Sequence, residues 1–391
     1  MKPVSKLNND PSTVFDLPHD FNVQLLADLP AGSRIVIVRL RSIGDIILLT
    51  PALRMLKQWR PDLHTAVVIE DRFKDLLAAN RNIDEWLSPG SGTGAQKAWR
   101  RINALRRLRA GRFDLCLNLH GGPASSMLAQ YSGARWKAGF YHFRRQGIYN
   151  FSIPDARLIL AQERVHTAEH QAAAFFYLGM PHGPIPAADL YVTAEAGERW
   201  AQHRARLGLA EDEPYAIIHP TATYPTKRWA AEGFAEAGAR LQRQFGLQAI
   251  YTCGPGERAT LDLVQKAAGE AVKRADDLSL AEFAAALHGA RIVIGNDSGP
   301  AHMAAALRRP LVVIFGSSSS TIWGPWQGSP REAQCPPALV VQNTYDCNPC
   351  PGDHCYRFAQ PECILSIRLE QVWQAVEEAM RFGLDDSAAR V

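Results

Sequence analysis

The chain has 391 residues, is 47% hydrophobic and 21% charged, and carries a formal net charge of only +4. That length accommodates two ordinary domains and argues against a single small module, while the weak net charge excludes a global field that would draw the whole molecule to nucleic acid. No apolar run approaches the roughly 18 residues of a membrane span and no secretory leader precedes the first apolar segment, so the expected location is the cytoplasm.

Residues 1–32 read as an extension ahead of the first domain. From Arg34 the short apolar runs RIVIVRL, HTAVVIE and DLCLNLH alternate with helical stretches such as PALRMLKQW and KDLLAAN. Continuous apolar strands separated by helices indicate a parallel sheet buried on both faces, here a Rossmann-like domain over residues 33–180. Within it, KAWRRINALRRLRAGR sets Trp99, Ile102, Leu105 and Leu108 at three-residue intervals among Arg100, Arg101, Arg106 and Arg107. That pattern suits an ordinary surface helix, or a face laid against an anionic membrane surface or acidic acceptor. Residues 181–213, opening with PHGPIPAAD, read as an interdomain linker. A second Rossmann-like domain follows over residues 214–368, with strands in PYAIIHP, QAIYTCG, RIVIGN and LVVIFG, and a C-terminal helix and tail over 369–391. The expected fold is therefore α/β, two halves facing one another across a cleft.

Several motifs fall where such strands end, which is where doubly wound sheets bind ligands. In RLRSIGDIILLTPAL, Asp45 opens a helix directly after a strand and either caps that helix or stands in the cleft as a catalytic carboxylate. In HPTATYPTKRW, Thr221, Thr223, Thr226, Lys227 and Arg228 suit a diphosphate, through hydroxyl hydrogen bonds and an ammonium that offsets charge. In IGNDSGPAHMAAAL, Ser298, Gly299 and His302 lie at a helix N-terminus, an anion-binding arrangement; Asp297 would repel phosphate and is expected to fix its loop or meet a hydroxyl. YTCGPGERA carries Gly254-x-Gly256-x-x-Ala259, a weak dinucleotide signal stiffened by Pro255, whose Glu257 is an alternative acceptor for ribose hydroxyls.

Four of the seven cysteines crowd into CNPCPGDHCYRFAQPEC, as Cys347, Cys350, Cys355 and Cys363. The clustering is no evenly spread disulfide framework. Four thiolates in a short loop can hold structural zinc or iron; reduced packing cysteines or a reversible disulfide are the other readings.

In this order the motifs resemble glycosyltransferase family 9, the heptosyltransferases that build the lipopolysaccharide core from ADP-heptose. The resemblance rests on Gly44-Asp45 with Pro51-Ala52-Leu53, on Thr226 to Trp229, on Gly254 to Glu257 and on Asn296 to His302, and spans about Arg34 to Met380. It implies the GT-B fold, with an anionic acceptor on the N-terminal half and the ADP-sugar donor on the C-terminal half. It also implies Asp45 as general base, Lys227 at the diphosphate, and Thr223, Glu257, Asp297, Ser298, Gly299 and His302 around the donor. The expected reaction is inverting transfer of heptose. No Asp-x-Asp occurs in the chain, so no cofactor is expected to be required for catalysis, and lysine, amides and helix dipole would stabilise the leaving group. A nucleotide-sugar epimerase on the same fold, a nicotinamide oxidoreductase using Gly254 to Ala259, and a non-catalytic scaffold contacting the membrane are the competing readings.

Overall fold

The computed structural model describes residues 23–90, 94–332, 335–350 and 352–385. Twelve strands among these form two sheets. The first comprises β1 (Arg34–Val38), β2 (His64–Val68), β3 (Glu85–Leu87), β4 (Leu115–Asn118), β5 (Trp136–Phe140) and β6 (Phe151–Ile153); the second comprises β7 (Tyr215–His219), β8 (Gln248–Thr252), β9 (Lys273–Ala275), β10 (Ile292–Asn296), β11 (Leu311–Phe315) and β12 (Ala338–Gln342). Their orders are β3-β2-β1-β4-β5-β6 and β12-β11-β10-β7-β8-β9, and every pairing within them is parallel. Each sheet thus has the Rossmann order. The strand order reverses between β1 and β4 in one half and between β7 and β10 in the other, placing a ligand crevice beyond the carboxyl ends of those pairs.

Side chains alternate across each sheet and bury both faces. Ile35 and Ile37 of β1 enter one apolar cluster while Val36 and Val38 enter another. The first of these clusters does not stop at the domain boundary: it runs from Ile35 through Ile46, Leu53 and Phe175 to Met303, Val313 and Phe315 of the second half. Such a shared apolar interface opposes large independent movement of the halves. The C-terminal helix Leu369–Asp385 contributes Val372, Trp373 and Val376 to the second half's own core.

At both ends of the first domain the chain is more ordered than its composition suggests. Residues 1–22 lie outside the described residues, but the short helix Leu25–Asp28 packs into the first domain: Leu26 is buried, its amide donates to the Leu178 carbonyl at 2.8 Å, and Arg60 donates to the carbonyls of Leu26 and Leu29. The segment 181–213 carries a helix, Ala194–Arg206, capped by Thr193. Its buried Trp200 donates to the Tyr215 hydroxyl at 2.8 Å, which ties it to the second half. Between these, Arg54 of the first half and Arg308 of the second both pair with Asp189 and Glu332, at 2.8 to 3.4 Å. Four charges therefore join the linker to both halves.

Candidate active site

Beyond β1 the chain passes through Arg39 to Ser42 and enters the short helix Ile43–Ile47. Ser42 and Asp45 form a capping pair, the Ser42 amide and hydroxyl donating to Asp45 Oδ2 at 3.1 and 3.2 Å. The Arg39 guanidinium pairs with the other carboxylate oxygen and also donates to the Leu119 carbonyl. From the helix Thr167–Tyr177, Gln171 Nε2 donates to the Asp45 carbonyl at 3.0 Å. Asp45 caps its helix and still keeps 21% of its side chain exposed, so the two roles left open in its motif are compatible.

In the second half, buried Asn296 ends β10 and binds the segment after β7, accepting from the Trp229 amide at 3.1 Å and donating to the Pro220 carbonyl at 2.8 Å. That alignment brings Lys227 Nζ to 2.7 Å from Asp297 Oδ2. The Ser318 hydroxyl donates to the same carboxylate. Asp297 does meet a hydroxyl, and it also holds the lysine. Ser298 is the N-cap of the helix Gly299–Ala306, its own hydroxyl donating to the Asn296 carbonyl at 3.2 Å. Glu257 accepts from the Thr221 hydroxyl at 2.7 Å and from the Gly254 amide at 2.9 Å, both on Oε2. Thr221 is thus buried and engaged with a carboxylate, which removes it from the hydroxyls able to face a diphosphate, while Thr223 is exposed. The Gly254–Ala259 turn is closed by that Glu257 contact and follows β8; the strand that opens the second domain is β7, so the turn is not at the usual dinucleotide position.

The halves meet at His302. A Cβ at Gly44 would stand 2.7 Å from His302 Cδ2, and a Cβ at Gly299 would stand 2.7 Å from that of Ile43, so glycine at both positions permits the helix contact. The imidazole is buried, which pushes its pKa down, with the Asp297 and Asp45 carboxylates opposing and Lys227 reinforcing that shift. One neutral ring therefore sits among the carboxylate of the first half and the lysine–aspartate pair of the second. His302 Nδ1, Arg39 Nε and Gln171 Oε1 are buried here without hydrogen-bond partners. Orphaned polar atoms of this kind are ordinarily satisfied by water or ligand.

The sequence model of glycosyltransferase family 9 (heptosyltransferase) matches residues 101–348, more than half of the chain. The chain belongs to glycosyltransferase family 9. Lipopolysaccharide heptosyltransferase 3 of Escherichia coli K12 is 28% identical over 295 residues, covering 72% of this chain and 82% of that protein. A family 9 glycosyl transferase of Veillonella parvula superposes with a TM-score of 0.73 at 24% identity, covering 92% of this chain and 99% of that one. The E. coli ADP-heptose lps heptosyltransferase II superposes with a TM-score of 0.69 at 18% identity, covering 89% and 98%. The two facing Rossmann halves are accordingly the GT-B arrangement of this family 9 transferase.

The remaining motifs stand outside this centre, the cysteine loop directly beside it. In the helix Gly94–Ala110, Ala104 and Leu108 are buried and Leu105 partly so, while Trp99 and Ile102 are 65% and 49% exposed. The apolar interval therefore splits, its first half facing solvent beside Arg101, Arg106 and Arg107. Arg100 shares this helix. The cysteine loop folds against the second half beside Lys227: the Cys350 amide donates to the Ser317 carbonyl at 3.0 Å, and Thr226, next to Lys227, donates to the Gly352 carbonyl. Burial and the neighbouring Cys350, Cys347 and Cys355 push the Cys363 thiol up to about 11. Among the described residues no three His, Cys, Asp or Glu side chains are placed to share a metal ion. Gln171, Arg39 and Ser318 carry no signal of their own in the sequence, although Ser318 lies three residues past β11, at the carboxyl edge where ligands bind.

Proposed function

We propose that this glycosyltransferase moves heptose from ADP-heptose to a hydroxyl of an anionic lipopolysaccharide core acceptor, with inversion at the anomeric carbon. The observation that carries the reading is the contact at His302, which gathers Asp45 of one half and Lys227 with Asp297 of the other around one buried ring. Asp45 takes the acceptor hydroxyl proton as that oxygen bonds to the anomeric carbon and the bond to ADP breaks. Charge released onto the diphosphate meets the Lys227 ammonium and the amides at Ser298 and Gly299, where the helix dipole adds to the attraction. Asp297 keeps the ammonium in place before the donor arrives, at the cost of some repulsion toward phosphate. Glu257 and Thr223 face the nucleotide. The shared apolar interface limits water around the reacting atoms.

On the first half, Trp99 and Ile102 with Arg101, Arg106 and Arg107 form a face suited to the anionic acceptor and to peripheral contact with the cytoplasmic side of the inner membrane. No described helix is long and apolar enough to cross a membrane, so the enzyme would work at that surface. The reading needs no nucleic acid.

For the cysteine loop we propose a structural zinc or iron, drawing together Cys347, Cys350, Cys355 and Cys363. Among the described residues no three of these thiols are placed to share an ion, so binding would require them to close inward. Its role would be to brace Thr226 beside Lys227. Elemental analysis of the purified protein should find about one metal per chain, lost in a Cys347→Ser, Cys350→Ser variant; a metal-free wild type with full donor affinity would refute it.

The test of the transfer reading is calorimetric binding of ADP-heptose followed by transfer to truncated lipopolysaccharide. Asp45→Asn should abolish turnover and spare donor binding. Equal loss of both would overturn the base assignment.

A further inference from the structure

Behind Glu257 lies a line of buried polar side chains that the proposed chemistry does not use. Thr252 ends β8, His219 ends β7, and Thr221 follows two residues later; their exposures are 1%, 6% and 1%. His219 Nδ1 is 2.9 Å from the Thr252 hydroxyl and Nε2 is 2.8 Å from the Thr221 hydroxyl, which in turn donates to Glu257 Oε2 at 2.7 Å. The direction of this chain can be worked out from its end. An ionised carboxylate only accepts, so the single Thr221 proton points to Glu257. The Thr221 oxygen must then accept from His219, which places the imidazole proton on Nε2. Nδ1 is left as an acceptor and takes the Thr252 proton, whose alternative partner, the Ile218 carbonyl, is at a long 3.5 Å. Burial holds His219 neutral by pushing its pKa down to about 4, against the pull of Glu257. A charged ring would donate at both nitrogens, and Thr252 could then no longer donate to Nδ1.

We propose that Thr252, His219 and Thr221 form a one-directional hydrogen-bond relay that positions Glu257 to accept the ribose hydroxyls of the donor nucleotide. This rests on the assignment of Glu257 to the donor. Oε2 is occupied by Thr221 and the Gly254 amide. Oε1 accepts no hydrogen bond from the described protein and is the oxygen the relay leaves for ligand. Thr221 and His219 are positioning residues: they touch the carboxylate or its partner, not the nucleotide.

Binding of ADP and of 2′,3′-dideoxy-ADP to the full-length protein separates the possibilities. In wild type, ADP should bind more tightly than the dideoxy analogue. Thr221→Val, which keeps the shape and removes the donor, should weaken ADP about tenfold and leave the dideoxy analogue nearly unchanged, the loss expected for one charge-assisted hydrogen bond. Thr221→Ser should restore discrimination. Nitrogen-15 spectra of His219 should show Nε2 protonated and Nδ1 bare between pH 5.5 and 8, a range well above the pKa of about 4 to which burial pushes the ring. If Glu257→Gln reduces discrimination while Thr221→Val does not, the relay is wrong and the Glu257 assignment stands. If neither variant changes discrimination, the Glu257 assignment itself falls. A proton on Nδ1 overturns the relay directly.

Discussion

Replacing Gly44 by alanine tests whether the contact between the halves belongs to the working enzyme. The added methyl would lie 2.7 Å from His302 Cδ2 and 2.9 Å from Nε2, closer than packed carbons approach. The ring is 8% exposed and has little room to retreat. Overpacking of this kind costs about 1–3 kcal/mol, and the cost falls only on the arrangement in which the two helices touch. The equilibrium constant favouring the contacting state should therefore fall about 5- to 150-fold, and kcat/KM should fall by up to that factor. Alanine in place of a helical glycine gains up to ~1 kcal/mol in local helix propensity, so the thermal midpoint should change little. The assay is steady-state ADP release with saturating acceptor, alongside thermal unfolding and ADP binding. A Gly44→Ala enzyme with wild-type kcat/KM would mean that the contact is dispensable for turnover.

Lys227→Met removes the partner of an Asp297 carboxylate that is only 6% exposed and should destabilise the protein by about 2–3 kcal/mol, at the low end for a broken buried pair because the lysine is partly exposed. Adding Asp297→Asn should recover most of that stability in urea unfolding but not the affinity for ADP. His166 and His219 are buried with pKa values pushed down to about 4 by burial. Their folded forms refuse a proton that the unfolded chain accepts below about 6.5, so each should remove about 2 kcal/mol of stability between pH 7 and pH 5. Thermal midpoints across that range, with both rings neutral by NMR at pH 5.5, check it. Arg106→Ala with Arg107→Ala should weaken binding to anionic vesicles by about 2 kcal/mol, roughly 30-fold, without affecting ADP binding; co-sedimentation measures the first and calorimetry the second.

What could be read from the chain follows from where each element is buried. Strands β1, β4, β7, β10 and β11 are covered on both faces and appear as unbroken apolar runs. By contrast β3 (Glu-Trp-Leu) and β9 (Lys-Arg-Ala) are three-residue edge strands whose pairing comes from a neighbour, so no local pattern announces them. The helix Ala194–Arg206 is hidden within an apparent linker because Ala196 and Trp200 are its buried residues and Trp200 is anchored by a strand of the second sheet.

The site divides in the same way. Gly44, Asp45, Lys227 and the segment Asn296 to His302 sit at strand ends, where position alone suggests ligand contact. Asp297 behaves as its charge implied, fixing its loop through Lys227 and Ser318. Thr221 does not, because its hydroxyl is turned inward by His219 at the end of β7 and by Glu257 in the turn after β8. The juxtaposition of Gly44 with His302 depends on how two whole domains dock. No local pattern encodes it.

The most direct measurement is ADP release by purified enzyme supplied with ADP-heptose, with and without heptose-truncated lipopolysaccharide, for wild type and Asp45→Asn. Release should depend on acceptor in wild type and be absent in the variant, with both proteins binding the donor equally. Acceptor-independent release, or an active Asp45→Asn enzyme, would contradict transfer with Asp45 as the base.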